Sequence, residues 1–225
     1  PGAAFWLFIA GVLAMATKLV ECTLGVKYRR YNADGSVSGG PMYYLEAWFN
    51  RNNLPTIGKA MGIFYAVAMV IGCFGIGNMF QSNQAFAQVL VITGGEASLF
   101  ADRGWLFGVA LAGVIAAVII GGIRSIARVA AVLVPVMALL YLLSALLVLG
   151  LSAEHIPAAL ALVTSEAFTG QAASGGILGA MVIGFQRALF SNEAGIGSAS
   201  IAHAAVKTEA PASEGITALL EPFID

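Results

Sequence analysis

Long apolar runs separated by short polar ones organise this chain. Residues 5–26 form the first run, and about 20 apolar residues are what a helix needs to cross the hydrocarbon core of a bilayer. Residues 60–95 carry no charge, and their second half is polar. They predict a span over 57–83 followed by a surface or re-entrant helix. Further spans are predicted over 105–123 and 129–151, the latter kinked at Pro135. After Ala167 the pattern changes: residues 167–186 are charge-free, Arg187 and Glu193 interrupt, and residues 194–206 are charge-free again. The 13 residues of that last piece cannot cross a bilayer. The segment 172–206 is therefore expected to be one span broken at about residues 187–197, with the start of another over 215–225.

Composition agrees with this map. Hydrophobic residues make up 59% of the 225 and charged residues 10%, whereas a soluble domain carries about 25% charge. The chain reads as an all-α polytopic membrane protein whose surroundings are a lipid bilayer. No basic run suggests a nucleic-acid partner. No basic stretch precedes the first apolar run, so that run does not read as a signal peptide. The start at Pro1-Gly2 and the end at EPFID are expected to be cuts within a longer protein. Cys22 and Cys73 lie in apolar segments and are expected to be small buried hydrophobes.

Positive charges orient the spans. Lys27, Arg29, Arg30, Arg51, Lys59, Arg124, Arg128 and Lys207 fall on one side if the chain alternates, and Arg103 on the other. The positive-inside rule then makes the loop 27–56 cytoplasmic and the location a cell membrane. In that loop Gly39-Gly40-Pro41 signals a turn. The Tyr43-Tyr44 pair opens an amphipathic piece, read either as an aromatic anchor at the interface or as a gate on the cytoplasmic path.

Three polar groups lie within the spans, where polarity is expensive and marks function. Lys18 and Glu21, spaced i and i+3, are read as a snorkelling pair near the cytoplasmic end, with a coupling role as the alternative. Asn78, Gln81, Gln84 and Gln88, extended by Ser82, share one helical face. That face suits a polar cavity wall or hydrogen bonding between helices. The third group is FSNEAGIGSA, residues 190–199. Glycines at 195 and 197 beside Ser191, Asn192 and Glu193 favour a break, and broken helices at mid-membrane are how secondary transporters build binding sites. The alternative is a continuous helix with Glu193 paired to Arg187. His155 and His203 have no metal-ligand spacing, and His203 reads as interfacial. No phosphate loop, nucleophile elbow or Cys/His cluster is present, so neither an enzyme nor a cofactor is expected.

Five blocks carry a resemblance: PGAAFWLFIAGVLAMATKLVE, SGGPMYYLE, FGIGNMFQSN, FSNEAGIGSASIAHAAVKT and LLEPFID, in order across essentially the whole chain. They resemble the sodium:alanine (alanine or glycine:cation) symporters of the amino acid–polyamine–cation superfamily. The chain departs from that pattern at Trp6-Leu7-Phe8, Ala14 and Ser200. The resemblance implies a fold of two inverted five-helix repeats, of which this chain is about half, starting after the first core helix. It implies sodium-coupled symport of a small neutral amino acid, alanine or glycine, by alternating access, with sodium as the co-transported ion. Phe190 would line the side-chain pocket. Ser191, Asn192, Glu193 and Gly195 would form the unwound segment near the substrate's amino or carboxylate group, and Asn78 and Gln81 would face the same cavity. Glu193 is either a ligand or a structural partner of the break. The rivals are a proton-coupled transporter of the same fold with Glu193 as carrier, and an amino-acid-binding sensor or channel.

Overall fold

The computed structural model describes residues 1–168 and 176–225. The chain is almost entirely helical, and it divides into two compact units: residues 1–69 with 155–225, and residues 70–154.

The first unit is organised around one helix, α1 (Gly2–Lys27). It is followed by a two-stranded hairpin, β1 (Arg30–Tyr31) and β2 (Val37–Ser38), with Arg30 opposite Ser38. Helix α2 (Pro41–Arg51) starts on Pro41 directly after Gly40, whose φ of +119° needs a residue without a side chain. Helix α3 (Pro55–Phe74) then continues through a π-helical stretch, Gly75–Met79, into α4 (Phe80–Ile92). This run of 38 residues replaces the expected span over 57–83 and its separate surface helix. The polar second half does not end the helix: the backbone hydrogen bonding widens to a π-helical turn at Gly75–Met79 and then resumes as α4.

In the second unit α4 is followed by α5 (Gly104–Ile119) and α6 (Gly122–Leu151). The expected spans over 105–123 and 129–151 are shifted: only Ile120 and Gly121 separate the two helices, and Arg124 and Arg128 sit in the first turns of α6 rather than in a loop. None of the residues of α5 or α6 is buried, and beyond the first turns of α6 both are predominantly apolar. Such surfaces need hydrocarbon or other apolar protein around them. By length and composition α1, the α3–α4 run and α6 are long enough to cross a membrane, and α5 is a shorter apolar helix. Cys22 is buried as expected, but Cys73 is exposed on the α3 surface.

The first unit resumes with α7 (Ile156–Phe168), a helix the apolar pattern left unassigned, and with α8 (Gly176–Asn192), α9 (Ser198–His203) and α10 (Pro211–Ile224). The expected start of the fifth span at residue 172 lies outside the described residues. The last helix begins four residues before the expected 215, because Pro211 supplies a helix start at N1.

Helices α7 to α10 all pack on α1. A glycine marks most of these crossings, as close membrane packing requires. A Cβ at Gly184 of α8 would lie 2.5 Å from Trp6 Cβ, one at Gly215 of α10 2.6 Å from the Leu19 carbonyl, and one at Gly25 of α1 2.5 Å from the Ser200 carbonyl. Trp6 donates its indole N–H to the Ala167 carbonyl at 3.1 Å, and the Phe5, Trp6 and Phe168 rings meet edge to face.

These crossings predict a contrast within α8. Gly184→Ala forces overpacking of about 1–3 kcal/mol and lowers the melting temperature of the full-length protein in detergent. Gly179→Ala, where nothing lies within 4 Å, leaves it unchanged or raises it. Equal melting of the two variants would refute the close α1–α8 crossing.

Candidate binding site at the helix break

Residues 193–197 separate α8 from α9. Within these five positions Glu193, Gly195 and Gly197 have φ of +52°, +88° and +97°. Two of the three are glycine, the residue that adopts such angles without steric cost. The break is therefore shorter than the expected 187–197. Arg187, Ser191 and Asn192 belong to α8, because the helix loses its ladder only where Glu193 turns left-handed. Glu193 is secured there by its own side chain, whose carboxylate accepts the Ser198 hydroxyl five residues on. The Glu193 carbonyl accepts the Ile196 N–H at 3.2 Å, and Asn192 Oδ1 accepts the Ala194 N–H at 3.0 Å. The partner of the Glu193 carboxylate is thus Ser198, where the continuous-helix alternative expected Arg187.

Helix α1 supplies the remaining support. Lys18 and Glu21 are 1% and 6% exposed, so they do not snorkel to an interface. Lys18 Nζ donates to the Asn192 carbonyl at 2.6 Å and lies 3.2 Å from Glu221 Oε1 of α10. Glu21 Oε2 accepts the Gly195 N–H at 3.1 Å. Its other oxygen is buried with no hydrogen-bond partner among the described residues. The signs are complementary. The C-terminal end of α8 carries partial negative charge and meets an ammonium, while the unwound N–H groups meet a carboxylate. From α3, Tyr65 donates its hydroxyl to the Ile196 carbonyl at 2.8 Å.

Loop residues hold the far half-helix. The Arg29 guanidinium donates to the carbonyls of Ala204, Val206 and Thr208 at 3.2, 2.6 and 2.5 Å. These acceptors lie at and beyond the C-terminal end of α9. The Gly39-Gly40-Pro41 turn packs on the same piece: a Cβ at Gly40 would sit 2.5 Å from Ile201 Cγ1. Tyr44 is half-buried nearby. Burial pushes its phenol up to about 12, the Glu21 charge acting in the same direction. Tyr43 lies under the Arg30 guanidinium, which also pairs with Glu46 at 2.8 Å. His203, read as interfacial, has its Nδ1 2.5 Å from Glu214 Oε1 and so ties α9 to α10.

The structure gathers Phe190, Ser191, Asn192, Glu193 and Gly195 at the end of α8 and the break. Ser191 and Asn192 also line a groove of about 190 Å³ with Leu7, Gly11 and Pro222. Asn78 and Gln81 belong to the second unit, Asn78 in the π-helical stretch and Gln81 in α4, and the Asn78 carbonyl accepts the Ser82 hydroxyl at 3.0 Å. Five residues that support the break, Lys18, Glu21, Arg29, Tyr65 and Glu221, did not enter the expected site. The available signal was the pair of charges in MATKLVE, which spacing alone assigned to each other.

A broken helix held by buried charges is a feature of membrane transport proteins, and comparison with known families decides which. A profile of the sodium:alanine symporter family matches residues 1–225. The chain belongs to the sodium:alanine symporter family. It is 38% identical over 226 residues to the sodium/alanine symporter AgcS of Methanococcus maripaludis, covering all of this chain and 48% of that protein. It is 35% identical over 217 residues to the probable sodium/glutamine symporter GlnT of Bacillus subtilis, covering 96% of this chain and 42% of that one. The amino-acid carrier protein AlsT of Bacillus subtilis is 33% identical over 226 residues, with all of this chain and 45% of AlsT covered. The chain spans about half the length of these relatives. As a member of this family it is a multi-pass membrane protein and not an enzyme.

The Arg29 clamp predicts a graded response in the full-length protein. Arg29→Lys keeps the charge but cannot fork to three carbonyls, and lowers the melting temperature. Arg29→Gln lowers it further. Melting curves that superimpose on that of the unsubstituted protein would show that Arg29 does not hold the end of α9.

Proposed function

We propose that the full-length protein is a sodium-coupled symporter of a small neutral amino acid, alanine or glycine, working by alternating access within an inverted-repeat fold. The observation that carries this reading is the hydrogen-bond inventory of the break. The N–H groups of residues 193–196 all have partners: Leu189, the Asn192 side chain, Glu21 and Glu193. Among the described residues no donor reaches the carbonyls of Ala194 or Gly195. Unpaired carbonyls at a break in a membrane helix favour a cation, which suits the ammonium end of an amino acid better than its carboxylate.

In this reading Ser191, Asn192, Glu193 and Gly195 shape the ammonium end of the site, and Phe190 lines the side-chain end. Ala188, Ala194 and Gly195 are small, which fits a substrate as small as alanine. The relatives named for sodium coupling support sodium as the co-transported ion. Glu193 acts as a brace, because its carboxylate is engaged by Ser198.

The test is uptake of radiolabelled alanine and glycine by the full-length protein in proteoliposomes, with and without an inward sodium gradient. Sodium-driven uptake is expected. Its absence for every small neutral amino acid overturns the proposal. Glu193→Gln keeps an oxygen for the Ser198 hydroxyl and is expected to retain sodium-driven uptake within about tenfold, the scale of one neutral hydrogen bond. Drive by a proton gradient that this variant abolishes would instead make Glu193 a proton carrier.

A further inference from the structure

We infer that Lys18 is a positioning residue for the substrate site, holding the end of α8 in place by a charge that Glu221 balances from α10. The inference rests on the symport reading above. Its starting point is energetic. An ammonium in a membrane span is costly unless paired, and Lys18 is one of the most completely buried side chains among the described residues. It nevertheless does not face a carboxylate alone. Its shortest contact, 2.6 Å, is to a neutral backbone carbonyl, that of Asn192.

That carbonyl is the last of α8. The final four carbonyls of any helix lack intrahelical donors, and in hydrocarbon each must find one. Asn192 O is also two residues before Ala194 O, the first carbonyl assigned to the ammonium of the substrate. Left unpartnered, Asn192 O would compete for the same cation and could swing the backbone with it. With Lys18 bound to it, Asn192 O is taken, and Ala194 and Gly195 are left facing the site. Glu21, one turn along α1, fixes the Gly195 N–H at 3.1 Å. One turn of α1 thus sets the end of α8 and the middle of the break, with opposite charges matched to opposite backbone groups. Glu221, 3.2 Å from Lys18 Nζ, neutralises the ammonium from the α10 side. Any displacement of α10 relative to α1 therefore acts on the end of α8 through Lys18.

The role separates from simple structural support by kinetics. In the full-length protein in proteoliposomes, Lys18→Met is expected to raise the alanine KM at least about tenfold while Vmax per folded transporter changes far less. Lys18→Arg, which keeps a donor and a charge, restores most of the affinity. Glu221→Gln leaves the Lys18–Asn192 bond in place and is expected to raise KM in the same direction by a smaller factor. It also serves if Lys18→Met does not fold. Hydrogen exchange gives a readout independent of uptake: in Lys18→Met and Glu221→Gln the peptide covering residues 193–197 exchanges faster, and one covering α5 does not. An unchanged KM with only a lower yield of folded protein overturns the inference, as does unchanged exchange at 193–197. Absence of uptake by the unsubstituted protein refutes the symport reading alone, and the exchange comparison then decides on Lys18.

Discussion

A backbone interrupted inside a membrane must have its exposed N–H and C=O groups taken up by neighbours, since no water is there to do it. This requirement governs the first unit. Between Asn192 and Gly197 the helical ladder stops; the N–H groups of residues 194–196 and the carbonyls of Asn192 and Ile196 are met by Lys18, Glu21, Tyr65, the Asn192 side chain and the Glu193 carbonyl, and the carbonyls of Ala194 and Gly195 are left to the site. Because α1 provides two of these partners, it cannot be a passive wall. Its length, its central place among α7 to α10 and the glycines at its crossings bring its polar turn within reach of the break.

Much of this was legible from the chain. The apolar runs gave the class of protein, and the 13-residue charge-free piece after Glu193, too short to cross a bilayer, gave a broken helix. The glycines at 195 and 197 located it, because both have backbone angles that suit glycine. The π-helical stretch, by contrast, has no sequence signature that separates it from an ordinary helix containing Gly75 and Gly77. Helix boundaries near Arg124 moved for a similar reason, since arginine is a good helix former and ends no helix by itself.

The misreading of Lys18 and Glu21 is the more instructive one. Charges spaced i and i+3 on a helix can reach each other, and near a membrane surface that is the economical assignment. Which partner they take depends on what tertiary packing brings alongside. Here Asn192 and Gly195 arrive 174 residues later in the chain, a separation that no local pattern encodes. Arg29 is a parallel case: its basic charge helped to orient the loop, but its three carbonyl acceptors lie 175 to 179 residues away.

The shortness of α9 has a consequence for how the protein is made. Six residues are too few to hold a helix in isolation, where about 12 or more are needed even for favourable sequences. Its shape is imposed by α1, Arg29, the Gly39-Gly40-Pro41 turn and Tyr65, all of which lie within the first 65 residues of this sequence. Synthesis proceeds from the N-terminus, so the mould exists before the segment it shapes leaves the ribosome. Reversing that order, for example by circular permutation that places residues 176–225 first, would ask α9 to form before α1, Arg29, the glycine turn and Tyr65 exist.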